Sequence, residues 1–121
     1  MSQNNIGSKR LVVGAHYGTK DWVAQRATAV AMAVYTLVVL FGFLTGKNFT
    51  YEGWAGMFAQ EWFKILSFVV IVSLVYHTWV GMRNVWMDYV KPVGARLVMQ
   101  FITVLWLLGC AGWAVQILWR V

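Results

Sequence analysis

The sequence predicts an all-α integral membrane protein with three transmembrane helices. Hydrophobic residues make up 60% of its 121 residues, and the mean hydropathy is +0.63. Charged residues make up only 12%, about half the fraction of a typical soluble domain. A soluble domain of this length needs a polar exterior, and so few charges do not cover one. Most of the surface is therefore expected to face lipid.

Three apolar stretches, at 22–44, 62–86 and 97–119, each match the roughly 20 residues that cross the hydrocarbon core of a bilayer. Because backbone groups find no partner in lipid, each stretch is expected to be a helix. Aromatic residues typical of the membrane–water interface mark the span ends: Trp22, Tyr51, Trp54, Trp62, Trp86, Tyr89 and Trp119. Residues 19–121 are thus assigned to a three-helix transmembrane unit, and residues 1–18 to a polar amino-terminal tail.

The basic residues predict the orientation in the membrane. Seven lie in or beside the tail and the second loop: Lys9, Arg10, Lys20, Arg26, Arg83, Lys91 and Arg96. Three lie on the other side: Lys47, Lys64 and Arg120. The positive-inside rule then places the amino-terminus in the cytoplasm and the carboxyl-terminus in the periplasm. The tail has the features of neither a signal peptide nor a mitochondrial presequence, so a bacterial inner membrane is expected.

Several function classes are disfavoured. The net charge is +6, but the basic residues flank apolar runs without forming a patch, so nucleic-acid binding is not expected. The single cysteine, Cys110, forms no internal disulfide and lies in an apolar run. The sequence holds no HExxH, Walker A, GxGxxG or GxSxG motif, so hydrolytic or nucleotide chemistry is not expected.

His77 is the least expected residue of the second span. It lies about ten residues before the cytoplasmic end of that span, roughly 15 Å below it. An imidazole at this depth needs a hydrogen-bond partner or a metal. Two interpretations stay open: a histidine bonded to a hydroxyl on a neighbouring helix, or an axial ligand of haem iron. Ser73 and Gly81 lie four residues to either side on the same face, where Gly81 leaves room for a flat macrocycle.

Both the histidine count and the small residues favour a helical partner. His16 lies in the polar tail, so a haem with two histidine ligands would take the second from another polypeptide. Small residues that permit close helix approach recur along the spans: Ala27, Ala31, Ser73, Gly81, Cys110 and Ala114. We therefore expect the three helices to pack with a companion anchor protein into a larger bundle.

Other polar residues lie near the cytoplasmic side. Arg26 could reach the lipid headgroups or pair with a haem propionate. Asp88 and Tyr89 are expected just outside the second span. Tyr89 is either an interfacial aromatic or a hydrogen-bond donor to a quinone carbonyl, and Asp88 is either solvated or assists proton delivery. No role follows for Arg83.

The segment from His77 to Pro92, HTWVGMRNVWMDYVKP, resembles the second-helix signature of the succinate dehydrogenase hydrophobic membrane anchor subunit. The segment Arg26-Ala-Thr-Ala is similar to the start of the first helix in that family. The resemblance extends over nearly the whole chain. H-x-x-x-G followed by D-Y-x-K-P is specific in combination, whereas neither half is specific alone.

The resemblance implies a membrane anchor subunit of succinate:ubiquinone oxidoreductase, respiratory complex II, which links the tricarboxylic acid cycle to electron transport. In that family a flavoprotein subunit and an iron–sulfur subunit oxidise succinate and pass electrons to ubiquinone. This chain would therefore be part of an enzyme without being catalytic by itself.

The resemblance also implies residue roles. His77 would be an axial ligand of haem b, with the other ligand supplied by a companion haem-binding anchor subunit. Arg26 would lie near the haem propionates. Tyr89 and Asp88 would form part of the ubiquinone site.

Two other functions stay open at this point. A non-catalytic membrane adaptor could dock peripheral redox subunits without haem, with His77 simply packed and hydrogen-bonded. A small transport subunit could line a polar path with His77 and Arg26. Three helices without a paired acidic residue in the spans disfavour a self-contained transporter.

Overall fold

The computed structural model describes residues 15–46 and 49–121, and all regular structure within them is α-helical. Helix α1 spans Ala15–Thr45, α2 spans Tyr51–Phe58, α3 spans Glu61–Tyr89 and α4 spans Val93–Arg120. Three segments are long and apolar enough to cross a membrane: Gly18–Thr45, Glu61–Tyr89 and Val93–Arg120. The predicted all-α fold with three spans is confirmed.

Each long helix extends beyond the apolar stretch that predicted it. Residues 15–18, assigned to the polar tail, form the first turn of α1. With 29 residues, α3 is about 43 Å long, enough to cross the hydrocarbon core and both headgroup regions. Hydropathy marks only the part in hydrocarbon, whereas an established helix adds polar residues at its ends readily. Residues 1–14, with Lys9 and Arg10, and Lys47 in the first loop lie outside the described residues.

Helix α3 is central and packs against both α1 and α4. Few side chains are fully enclosed: among the described residues, only Phe63, Ser67, Val80 and Leu118 are buried. Large apolar side chains are instead exposed along all three long helices. Such a surface suits lipid or further helices rather than water.

The two ends of the bundle differ. We call the end that holds the α3–α4 turn, residues 90–92, the turn end. The opposite end, with residues 46–60 and the carboxyl end of α4, is the loop end. At the turn end, α3 stops at Tyr89 and Pro92 is the N-cap residue of α4. The Arg96 guanidinium closes this turn by donating from Nε to the Val90 carbonyl at 3.1 Å and from Nη2 to the Lys91 carbonyl at 3.3 Å.

The expectation that Asp88 and Tyr89 lie just outside the second helix was wrong, because they form its last turn. The apolar stretch ends near Trp86, but helix geometry persists until the approach of Pro92. A proline disfavours helical backbone at the residue before it, which sets the boundary. Both side chains are therefore positioned by a helix rather than by a loop.

Helix α2 at the loop end was not predicted, because it lies in the more polar segment between the predicted spans 22–44 and 62–86. Thr50 caps it: its hydroxyl oxygen accepts from the Gly53 backbone N–H at 3.3 Å. Glu52 in the first turn suits the positive end of the helix dipole. Gly42 allows α2 to pack closely against α1. A Cβ atom at this position would lie only 3.0 Å from the Met57 sulfur.

Aromatic rings hold α2 and α3 together at the loop end. Phe63 of α3 is 1% exposed, and its ring lies 5.0 Å from the Phe58 ring of α2 and 5.6 Å from the Tyr35 ring of α1 (centroid distances). Trp54 of α2 lies 5.8 Å from Phe43 of α1. Edge-to-face and stacked pairs at these separations add to packing.

Truncation of Phe63 is expected to destabilise the protein. The loss for Phe63→Ala should be smaller than the roughly 3–5 kcal/mol of a water-soluble core, because separated helices stay in lipid and lose only packing. Thermal unfolding in mild detergent, followed by tryptophan fluorescence, measures it as a lowered Tm. Phe101→Ala, at a side chain 65% exposed, is the matched control. Equal shifts for both variants would contradict a core centred on Phe63.

Candidate functional site

Three polar pairs join α1 to α3 along one line. We call this line the polar seam; its pairs are Asp21–Arg83, Thr28–His77 and Tyr35–Ser67. The α1 members recur every seven residues, which is two helical turns, so they share one face. The α3 members follow in the reverse order, as antiparallel packing requires.

Thr28 determines which nitrogen of His77 carries the proton. The Thr28 hydroxyl donates to the Ala24 carbonyl, with Oγ1 2.7 Å from that oxygen. Oγ1 also lies 3.0 Å from Nδ1 of His77. Since the hydroxyl hydrogen already goes to the helix carbonyl, Nδ1 of His77 donates and Oγ1 accepts. In a neutral imidazole Nε2 is then the acceptor nitrogen, and it has no hydrogen-bond partner among the described residues.

A second ring–threonine pair, between α3 and α4, supports this proton assignment. Thr103 Oγ1 donates to the Met99 carbonyl at 2.8 Å and accepts from Nε1 of Trp86 at 2.9 Å. An indole N–H can only donate, so the direction of that bond is unambiguous. The His77 pair has the same geometry: a threonine bonded back to its own helix receives a ring N–H from α3.

His77 is the side chain in this region that could coordinate a metal. A histidine that binds a metal through one nitrogen donates its other N–H to a fixed acceptor, which orients the ring. Nδ1 of His77 has such an acceptor in Thr28. Across the described residues, no group of three or more His, Cys, Asp or Glu side chains could hold an ion alone. This chain therefore offers a single ligand at this position.

Gly81 and Ser73 flank His77 with different surroundings. A Cβ atom on Gly81 would lie 3.6 Å from Gln25 Nε2 of α1, an ordinary van der Waals contact. Contact with α1 would thus tolerate alanine at position 81. Ser73 is half-buried and makes no hydrogen bond within the described part of the chain.

Arg26 lies off the polar seam. It stands two residues before Thr28, about 200° around the helix. Its side chain is exposed, and its guanidinium carbon lies 5.4 Å from the centroid of the Trp22 ring. This stacking is a cation–π contact at the outer surface of α1. Arg26 and His77 are therefore not brought together within this chain.

The Asp21–Arg83 ion pair is a contact that the sequence analysis missed. The two side chains are 29% and 30% exposed, and each lies in a helix that crosses the membrane. The seven-residue recurrence of polar residues at 21, 28 and 35 was the available signal. Two buried atoms near this end of the seam lack a hydrogen-bond partner within residues 15–46 and 49–121: Nε of Arg83 and Oε1 of Gln25.

Asp88 and Tyr89 form a separate polar group at the turn end. Both are exposed, and the Tyr89 side chain is 79% exposed. Tyr89 lies twelve residues after His77 in α3, roughly 18 Å along the helix axis. The chain thus presents a membrane-embedded imidazole and an interfacial phenol–carboxylate pair, connected by one rigid helix.

The outer faces of α3 and α4 are apolar. A groove of about 690 Å³ lies between these helices; its lining includes Phe68, Val72, Tyr76, Trp79, Leu108 and Gly112. Trp106 and Trp113 lie seven residues apart on one face of α4 and are 72% and 69% exposed. These faces leave most of the bundle available to further hydrophobic partners.

Comparison with known proteins identifies the family. The family model described as succinate dehydrogenase/fumarate reductase transmembrane subunit matches residues 1–111. The chain is also 34% identical over 102 residues to the succinate dehydrogenase hydrophobic membrane anchor subunit of Coxiella burnetii. That alignment covers 84% of this chain and 89% of the relative. The chain therefore belongs to the succinate dehydrogenase/fumarate reductase transmembrane subunit family and is a multi-pass membrane anchor subunit.

Proposed function

We propose that this protein contributes one axial ligand to haem b and part of the ubiquinone site in a succinate:ubiquinone oxidoreductase. The observation that carries the proposal is the state of His77. Its Nδ1 lies 3.0 Å from the Thr28 hydroxyl oxygen, and its Nε2 has no partner among the described residues, within a helix that crosses the membrane. When bound, haem b supplies a one-electron carrier.

The residues present fit one side of a haem site. His77 offers one nitrogen ligand, so the second ligand would come from the companion haem-binding anchor protein. Ser73 and Gly81 present a hydroxyl and a small surface on the turns adjacent to His77. Arg26, on the outer face of α1, is available to a propionate or a headgroup. The flavoprotein and iron–sulfur subunits would supply electrons from succinate.

Tyr89 and Asp88 are proposed to serve the quinone. Quinone reduction consumes two electrons and two protons, so its site needs proton access. Tyr89 is exposed at the turn end, where its phenol can donate a hydrogen bond to a quinone carbonyl. The Asp88 carboxylate is exposed to the same aqueous side and can relay protons towards that site.

The non-catalytic adaptor remains the second candidate, and one contact favours it. The Thr28–His77 hydrogen bond satisfies one nitrogen of the imidazole, as expected of a packed histidine without a cofactor. The unpartnered Nε2 argues against this alternative, because an unsatisfied acceptor in the membrane interior is unfavourable.

The first experiment addresses His77 and its threonine partner. In the complex purified in mild detergent, His77→Ala should abolish or alter the b-type reduced-minus-oxidised spectrum. Thr28→Val keeps the ligand but removes its acceptor, and loss of such a partner typically weakens metal affinity about 10–100-fold. Thr36→Val is the control, since Thr36 bonds only to its own helix at Met32. A normal haem spectrum in His77→Ala would exclude ligation by this residue.

The second experiment separates quinone chemistry from succinate oxidation. Tyr89→Phe should lower succinate-driven quinone reduction about tenfold, because a lost hydrogen bond worth ~1.4 kcal/mol changes a rate by that factor. Succinate oxidation by an artificial dye should be nearly unchanged. Tyr51→Phe, at an equally exposed tyrosine of the loop end (81% exposed), is the matched control. Equal loss of both activities in Tyr89→Phe would refute the assigned role.

The third experiment tests location and orientation. The excess of basic residues near the turn end supports a cytoplasmic turn end in a bacterial inner membrane. In a Cys110→Ala background, Glu52→Cys at the loop end should react with a membrane-impermeant maleimide in spheroplasts. Lys91→Cys at the turn end should react only after permeabilisation. The reverse labelling pattern would require the opposite orientation.

A further inference from the structure

We infer that the α1–α3 contact binds a water molecule, which accepts a hydrogen bond from Nε of Arg83 and donates one to Oε1 of Gln25. The inference does not depend on the proposed haem or quinone roles. It concerns two side chains for which the sequence analysis offered no function. It also adds a solvent molecule to the polar seam, between the ion pair at the turn end and the pair formed by Thr28 and His77.

The first observation is a donor and an acceptor that are both buried. Neither atom has a hydrogen-bond partner within residues 15–46 and 49–121. Nε of Arg83 belongs to a charged group and can only donate, whereas Oε1 of Gln25 can only accept. Burial without a partner is costly for both, because each loses the hydrogen bonds that water would make with it. A ligand that accepts from one atom and donates to the other removes both costs.

The second observation is the position of the Gln25 amide. Gln25 follows Asp21 by four residues, roughly 6 Å along α1. Its Nε2 lies beside Gly81, which precedes Arg83 by two residues, roughly 3 Å along α3. The amide is therefore displaced from the ion pair by roughly 3–6 Å along the helix contact. One water bridges polar atoms about 4.5–5.5 Å apart through two ordinary hydrogen bonds.

Gly81 provides space for the ligand. The nearest atom to a Cβ built there is Nε2 of Gln25 at 3.6 Å. Apart from the backbone and chain neighbours on α3, no other atom of the described residues lies within 4 Å of that point. A bound water needs little more than its own volume and two to four polar partners. The missing side chain of Gly81 thus leaves room next to the amide that supplies one of these partners.

The orientation of the amide supports the assignment. Exchange of the oxygen and nitrogen of Gln25 would bury a second donor near the guanidinium of Arg83, in place of an acceptor. The amide dipole favours the present arrangement, because its negative end is then the buried end beside a cation.

These two atoms favour water over an ion. An anion accepts from Nε of Arg83 but has no hydrogen to donate to Oε1 of Gln25. A metal cation binds Oε1 but is repelled by the guanidinium. The Asp21 carboxylate already balances the charge of Arg83, so a neutral ligand keeps the contact neutral. Water is the small neutral molecule that both accepts and donates.

The water would make Gln25 a positioning residue for the neighbouring pair. The Thr28 hydroxyl lies 3.2 Å from the Gln25 carbonyl oxygen, in addition to its shorter bond to Ala24 at 2.7 Å. A water that ties the Gln25 side chain to α3 therefore restrains the helical turn that carries the hydroxyl. The hydrogen-bonded seam then continues from Asp21 to His77.

The direct test is a structure of the native complex, determined by electron cryomicroscopy at a resolution that shows ordered water. A density peak within about 3.2 Å of both Nε of Arg83 and Oε1 of Gln25 is the expected result. A direct bond between these two atoms, a protein group in that position, or the lack of a peak overturns the inference.

A double-mutant cycle tests the coupling in the same complex, purified in mild detergent. Gln25→Met keeps the length of the side chain but removes the acceptor, so it should lower the Tm. Arg83→Lys keeps a cation for Asp21 but removes the Nε–H donor, so Gln25→Met should lower the Tm less in that background. Gln116→Met, at an exposed glutamine of α4, is the control and should not lower the Tm. Equal losses from Gln25→Met in both backgrounds overturn the inference.

Discussion

The absence of hydrogen-bond partners in lipid governs this structure. Helices satisfy their own backbone, but polar side chains within the spans must find partners across helix contacts. On α1 the threonine and tyrosine of the polar seam do so through His77 and Ser67, while the acidic residue pairs with Arg83. With few side chains fully buried, these contacts specify how α1 and α3 align, because apolar packing in lipid lacks a hydrophobic driving force.

Much of the fold could be predicted from the sequence. Apolar length alone located three spans, since the bilayer imposes the length and lipid imposes the helix. The ends of the helices were less predictable, because hydropathy does not distinguish helical from non-helical residues in the headgroup region. Asp88 and Tyr89 were therefore assigned to a loop although they complete α3. Helix α2 was missed because its signal is a local cap at Thr50 rather than an apolar run.

The candidate site was predictable one residue at a time but not as pairs. A histidine deep in a span draws attention by itself, and so does an arginine. Which hydroxyl accepts from His77, and which carboxylate meets Arg83, depend on the register between α1 and α3. The recurrence of polar residues at 21, 28 and 35 indicates which residues of α1 face α3. Their partners on α3, residues 67, 77 and 83, are unevenly spaced. They can therefore be identified only from the packing of the two helices.

The lengths of the two connections have a consequence for biogenesis. Three residues join α3 to α4, so these helices can enter the bilayer as a preformed hairpin. Helix α1 is joined to α3 by the longer connection 46–60, which contains α2, so its docking onto α3 is not imposed by a tight turn. Until α1 docks, His77 lacks its acceptor and both imidazole tautomers are open to it. The orientation of the His77 ring thus depends on the docking of α1 as well as on the folding of the helix that carries it.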